Sequence, residues 1–156
     1  MTLNTIVAKK QSGAHLRLLE LCYRYAYLLG RQKAGLELSM EEGEELASLS
    51  HLFEGDPERR RRGHRRFPML LHAVVKTPKG AWCQGRVLNM SGNGMVLSMS
   101  HDVPDGATIQ VRLGRPGEVE YLFTCTVVRT VADAAGEPSG CGLSFCCVPL
   151  EMRRAA

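Results

Sequence analysis

This sequence predicts a mainly-β domain: six short antiparallel strands, closed or nearly closed into a barrel, with an α-helical hairpin at the N-terminus. Three observations predict it. From Met69 onwards apolar and polar residues alternate and β-branched residues gather. Turns interrupt this part every 8–15 residues, the rhythm of an antiparallel barrel. Ahead of the turn at Asp56-Pro57 the apolar spacing is helical instead.

The first helix is predicted from about His15 to Lys33. Leu16, Leu19, Tyr23 and Ala26 recur near helical spacing, Leu18, Leu21, Cys22, Tyr25 and Leu28 widen the apolar face, and Arg17, Glu20, Arg24 and Arg31 supply polar positions. Gly35 interrupts the pattern. Ser39-Met40-Glu41-Glu42 then reads as a capping box, with the serine capping a second helix and Glu42 reaching back. The acidic side chains in its first turns suit the positive end of the helix dipole. Leu46, Leu49, Leu52 and Phe53 form its apolar side, and it ends near Glu54-Gly55-Asp56-Pro57. Successive residues of a helix turn by about 100°, so Tyr23, Tyr25 and Tyr27 cannot all face one core. The hairpin cannot bury its wide stripe alone. It must pack on the β-part, on a copy of itself or on a partner.

The strands follow in order. Met69 to Lys76 is the first, Thr77-Pro78-Lys79-Gly80 the turn after it, and Trp82 to Leu88 the second. Gly94 to Ser98 is the third. Val103-Pro104-Asp105-Gly106 is another Pro/Gly turn, and Ile109, Val111 and Leu113 alternate in the fourth strand. Tyr121, Phe123, Cys125 and Val127 alternate in a long fifth strand, about Val119 to Arg129. Ala132 to Ser139 reads as a loop and Cys141 to Val148 as the last strand. Eight residues remain after Val148, room for no more than a stubby C-terminal helix. The organisation expected is a hairpin over residues 1–55, an arginine-rich segment over 56–68 and the barrel over 69–156.

A chain of 156 residues with 44% apolar content fits one folded domain with an appendage. Its net charge of +4 is unevenly spread. Residues 1–58 hold six Lys/Arg against nine Asp/Glu, net −3; residues 59–156 hold fourteen against seven, net +7. The basic part calls for an anionic partner. The first ten residues lack the apolar run of a signal peptide, and no stretch is long and apolar enough to cross a bilayer, so the expected address is the cytoplasm. There the six cysteines are expected as free thiols packed like small hydrophobes. Cys141, Cys146 and Cys147 have poor spacing for structural zinc, and adjacent strand residues point oppositely, so no metal is expected.

The chemistry concentrates in two places. Six arginines occupy residues 59–66, in Arg59-Arg60-Arg61-Arg62-Gly63-His64-Arg65-Arg66, just before Phe67-Pro68 and the first strand. Asn89-Met90-Ser91-Gly92-Asn93-Gly94 forms a polar-glycine turn, with 22 residues between Arg66 and Asn89. That distance holds two strands and a turn, so the arginines can fold back over the turn. Guanidinium is suited to the role because its planar fork meets phosphates and guanine edges two bonds at a time.

Arg-x-x-x-Arg before the first strand, followed by Asn-x-Ser-x-x-Gly, resembles the PilZ domain, a family of bacterial receptors for cyclic di-GMP. The resemblance covers about residues 60–149 and leaves out the hairpin. It implies that Arg62 and Arg66 bind guanine edges and phosphate, that Asn89 hydrogen-bonds a guanine or its ribose-phosphate, and that Ser91 donates to the ligand or holds the turn. Gly94 is expected to take a positive φ or to let the backbone approach the ligand. Many relatives carry Asp where Asn89 stands; asparagine keeps the acceptor and loses the charge. An arginine at Arg61 accompanies binding of an intercalated pair of ligand molecules, so two per site are expected. The alternative register pairs Arg61 with Arg65. Arg65 and His64 border the site, and His64 reads first as an exposed bystander. Arg59 and Arg60 add diffuse attraction for an anion.

No Walker-type phosphate loop, nucleophile elbow or His-Glu-x-x-His occurs, so the expectation is a receptor and adaptor with no enzymatic activity and no cofactor. A protein partner is expected, and the hairpin is also a candidate dimer contact. Two other readings compete. One is a degenerate PilZ-like module that binds protein alone. The other is a basic nucleic-acid binder, disfavoured because the arginine run lacks interleaved aromatics.

Overall fold

The computed structural model describes residues 13–54, 65–115, 117–132, 134–136 and 138–153. Two helices come first, α1 (Gly13–Lys33) and α2 (Met40–Phe53). Seven strands follow: β1 (Phe67–Lys76), β2 (Trp82–Met90), β3 (Gly94–Ser98), β4 (Thr108–Gly114), β5 (Val119–Ala132), β6 (Pro138–Phe145) and β7 (Leu150–Arg153).

Six of these strands close into an antiparallel barrel in the order β1-β2-β3-β6-β5-β4, with β4 returning to β1. Its inner side is the alternating set read from the sequence. Ile109, Val111 and Leu113 from β4, and Tyr121, Phe123, Cys125 and Val127 from β5, are all buried. Met69 belongs to this inner set, but β1 begins two residues ahead of it, because Phe67 and Pro68 already pair with Met90 and Asn89.

The C-terminal end departs from the expected pattern. β6 stops at Phe145, and residues 146–149 carry the chain across to a seventh strand where at most a short helix was expected. The reason is the length of β5. At 14 residues it outruns β6, which pairs with it only from Cys125 onwards. The same edge at Val119–Leu122 would be left with unpaired backbone groups, and β7 pairs them. The cysteines divide accordingly. Cys22, Cys125 and Cys141 are buried, and burial pushes the Cys141 thiol up to about 11. Cys146 and Cys147 lie past the strand and are exposed, contrary to the expectation that all six pack inside.

The hairpin packs on the barrel. The Ser39 capping box is formed, with Ser39 Oγ accepting from the Glu42 N–H (3.1 Å) and Glu42 Oε1 accepting from the Ser39 N–H (3.0 Å). Arg24 donates two bonds to Glu45 (2.6 and 3.0 Å) and Arg31 pairs with Glu42 (2.6 Å), joining α1 to α2. The three tyrosines of α1 do not all face one way: Tyr23 and Tyr27, one turn apart, stack on each other (5.8 Å between ring centroids), and Tyr25 turns to another side. Tyr23 stacks on Tyr121 of the barrel (4.4 Å between ring centroids), Tyr25 packs on Phe53 of α2 (4.9 Å), and Tyr27 is only partly buried.

This docking answers a need of the barrel. β4 pairs with β1 only at Val74–Lys76. Among the described residues, the N-terminal half of β1 therefore has β2 on one side and no strand on the other. His15 of α1 accepts the Leu70 N–H through Nδ1 (3.2 Å), and Phe53 of α2 packs edge-on against Phe67 (5.3 Å). The hairpin core and the barrel core are one continuous cluster. Phe53 is fully buried between Tyr25 and Phe67. Replacing it with alanine is expected to cost about 3–5 kcal/mol, read as a fall in the denaturant midpoint. A midpoint near wild type would show that the hairpin is not integral to the domain.

Candidate functional site

The outer surface of β2, β3, β6 and β5 carries an open pocket of about 320 Å³. Arg66, Asn89, Ser91 and Gly94 line it, joined by Asn93, Val128, Arg129, Gly142 and Ser144. Thus four of the six principal residues read from the sequence meet in one place. Arg61 and Arg62, with His64, Arg59 and Arg60, lie outside the described residues.

The polar turn is built by Ser91. Its N–H donates to the Gly94 carbonyl (2.9 Å), closing a two-residue loop of Gly92 and Asn93 between the paired Met90 and Met95. Its hydroxyl is buried and donates to Asn93 Oδ1 (2.7 Å). The Phe145 N–H donates to the Asn93 carbonyl (2.9 Å), which ties the turn to the end of β6. Of the two roles expected for Ser91, holding the turn is the one visible in these contacts.

Gly94 is required for a reason other than positive φ. Its φ is not in the left-handed region. It sits so close to β6 that a Cβ would run into the Leu143 carbonyl oxygen. The glycine therefore lets β3 and β6 approach beneath the pocket floor.

Asn89 reaches the pocket through a β-bulge. Val87 pairs with Leu97 and Asn89 with Val96, so two steps on β2 match one on β3. Val87 and Met90 point inward. Strict alternation would send Asn89 inward after Val87; the extra residue, Leu88, keeps it outside. Cross-strand partners then form one row over four strands: Asn89 with Val96, Val96 with Gly142, and Gly142 with Arg129.

Arg65 and Arg66 diverge. Arg66 lines the pocket, whereas the Arg65 guanidinium lies over the Phe67 ring (5.9 Å) and the Arg65 N–H donates to the Phe53 carbonyl (2.7 Å). Asn93, Val128, Arg129, Gly142 and Ser144 were not singled out from the sequence. Asn93 stood inside the recognised turn and could have been found there. The other four come from strands more than 30 residues further on, and only the closed barrel brings them to the turn.

A closed six-stranded barrel with arginines ahead of its first strand and a polar-glycine turn between its second and third defines the class of this domain. The PilZ domain model matches residues 59–155, and the chain belongs to that family. Among solved structures, the chain is similar to the Bacillus subtilis inhibitor of motility MotI/DgrA. The identity is 15% and the TM-score 0.45, over 57% of this chain and 48% of that one. It is also similar to the PilZ domain of Escherichia coli YcgR solved with c-di-GMP, at 17% identity and a TM-score of 0.43, over 55% of this chain and 78% of that one. The aligned region spans about half the length of the motility inhibitor. No curated protein sequence matches the chain.

Two substitutions separate the parts of the turn. Gly94→Ala is expected to destabilise by about 1–3 kcal/mol, because backbone must move to admit the methyl. Ser91→Ala removes a hydrogen bond worth about 1 kcal/mol. Equilibrium denaturation of both variants checks this, and an unchanged Gly94→Ala midpoint would contradict the tight β3–β6 approach.

Proposed function

We propose that this chain is a cyclic di-GMP receptor that acts as an adaptor, through binding and not catalysis. The observation that carries the reading is the convergence of Arg66, Asn89, Ser91 and Gly94 on one open pocket of the barrel surface. The chemistry suits the ligand. Each guanine presents O6 and N7 as paired acceptors, and each phosphodiester presents anionic oxygens; an arginine fork matches both. Arg62 would act with Arg66, and Arg61 would favour a pair of intercalated ligand molecules. Asn89 would hydrogen-bond a guanine or its ribose-phosphate.

The route from ligand to hairpin is short. Arg65 adjoins Arg66, and its N–H is bonded to the carbonyl of Phe53, the last residue of α2. Arginines drawn onto a ligand would pull on this junction and shift how the hairpin and barrel meet a protein partner. Among the described residues no helix is long and apolar enough to cross a membrane.

Titration calorimetry with cyclic di-GMP tests the reading. Wild type is expected to bind at micromolar ligand or below, with two molecules per chain. Arg66→Ala is expected to bind about 10- to 100-fold more weakly, at roughly 1–3 kcal/mol for a lost bidentate contact. Absence of binding by wild type, or equal binding by the variant, overturns the receptor reading. A stoichiometry of one overturns only the role given to Arg61.

A further inference from the structure

We infer that Arg129 is a third guanine-reading arginine of this site, held on β5 at the far end of the row that begins at Asn89. The inference rests on the receptor reading above and extends it to a residue outside both sequence motifs.

The backbone is specialised to place this side chain. In β5 the inward residues are Tyr121, Phe123, Cys125 and Val127. Continued alternation would put Arg129 next in the core. A bulge prevents it: Val127 pairs with Leu143 and Arg129 with Gly142, so β5 advances two residues while β6 advances one. Val128 is the extra residue, and both Val128 and Arg129 are exposed on the outer surface. Bulges re-aim side chains in this way at sites of function. Asn89 is placed by the same device on β2, at the other end of the same row.

The second specialisation is Gly142. It lies directly opposite Arg129, and the arginine side chain runs across it. A Cβ on Gly142 would stand 3.1 Å from Arg129 Nε and 3.2 Å from Arg129 Cγ. The bare backbone gives the side chain a bed along the pocket floor. Both residues line the pocket that Arg66 and Asn89 also line.

The neighbour decides which group Arg129 meets. Val128 is 61% exposed, an apolar surface in the lining of the pocket that Arg129 also lines. A base can cover the valine with its face while its edge meets the fork. Guanine presents two acceptors, O6 and N7, on that edge; adenine presents N7 and an amino donor, which an arginine fork cannot match twice. Arg129 therefore contributes selectivity for guanine as well as affinity. Lysine at this position would keep the charge and lose the fork.

Calorimetry with cyclic di-GMP and cyclic di-AMP on wild type, Arg129→Ala and Arg129→Lys tests the assignment. Arg129 is exposed, so both variants are expected to keep the wild-type melting temperature. Wild type is expected to prefer the guanine ligand. Arg129→Ala should weaken cyclic di-GMP binding about 10- to 100-fold and narrow the preference over cyclic di-AMP, and Arg129→Lys should not restore either. If wild type binds cyclic di-GMP and Arg129→Ala binds it equally well, this inference fails and the receptor reading stands. Full recovery by lysine would overturn the assignment to a base edge. No binding by wild type would sink both proposals.

Discussion

A β-strand sends successive side chains to opposite faces, and the candidate site exists because this barrel breaks that rule twice. On β2 the bulge at Leu88 keeps Asn89 outside, and on β5 the bulge at Val128 does the same for Arg129. Without them, strict alternation would direct an asparagine and an arginine into a core of Val87, Leu97, Phe123 and Val127. An unpaired cation in such surroundings is prohibitively costly. The bulges therefore serve stability and the site together: they keep polar groups out of the core and collect them on one outer surface.

The spaces between strands are managed with equal economy. Gly94 allows β3 and β6 to approach, and Gly142 leaves a channel over which Arg129 lies. The Ser91 turn is held to β6 through the Asn93 carbonyl. These contacts tie the turn and β3 to β6 at the pocket floor, whereas Arg66 comes from the residue just before β1.

The hairpin completes the barrel. β1 and β4 meet over only three residue pairs, and α1 and α2 occupy the side of β1 that no strand among the described residues covers. The capping box, both helices and the alternation of β4 and β5 were legible in local sequence, because each depends on neighbours within one or two turns of chain. The hairpin's partner was not. Its apolar stripe is satisfied equally well by a barrel, a second copy or another protein, and only the unpaired edge of β1 selects the first. The seventh strand was hidden for a similar reason. Four residues carry little periodicity, and what makes them a strand is the free edge of β5.

By itself the sequence determined the class of the domain and the two motifs from which its candidate site is built: alternation wrote the barrel, and Arg66, Asn89, Ser91 and Gly94 stood in motifs that resemble those of the PilZ family. The tertiary structure alone decided the rest of the pocket. Arg129 and Gly142 lie 40 and 53 residues beyond Asn89, yet share its cross-strand row. No local pattern records that adjacency, because it follows from closing the barrel through β6 and from a bulge whose only trace in sequence is one residue out of phase. The same closure gave Gly94 its reason, which is the carbonyl of a strand that the chain reaches some 50 residues later.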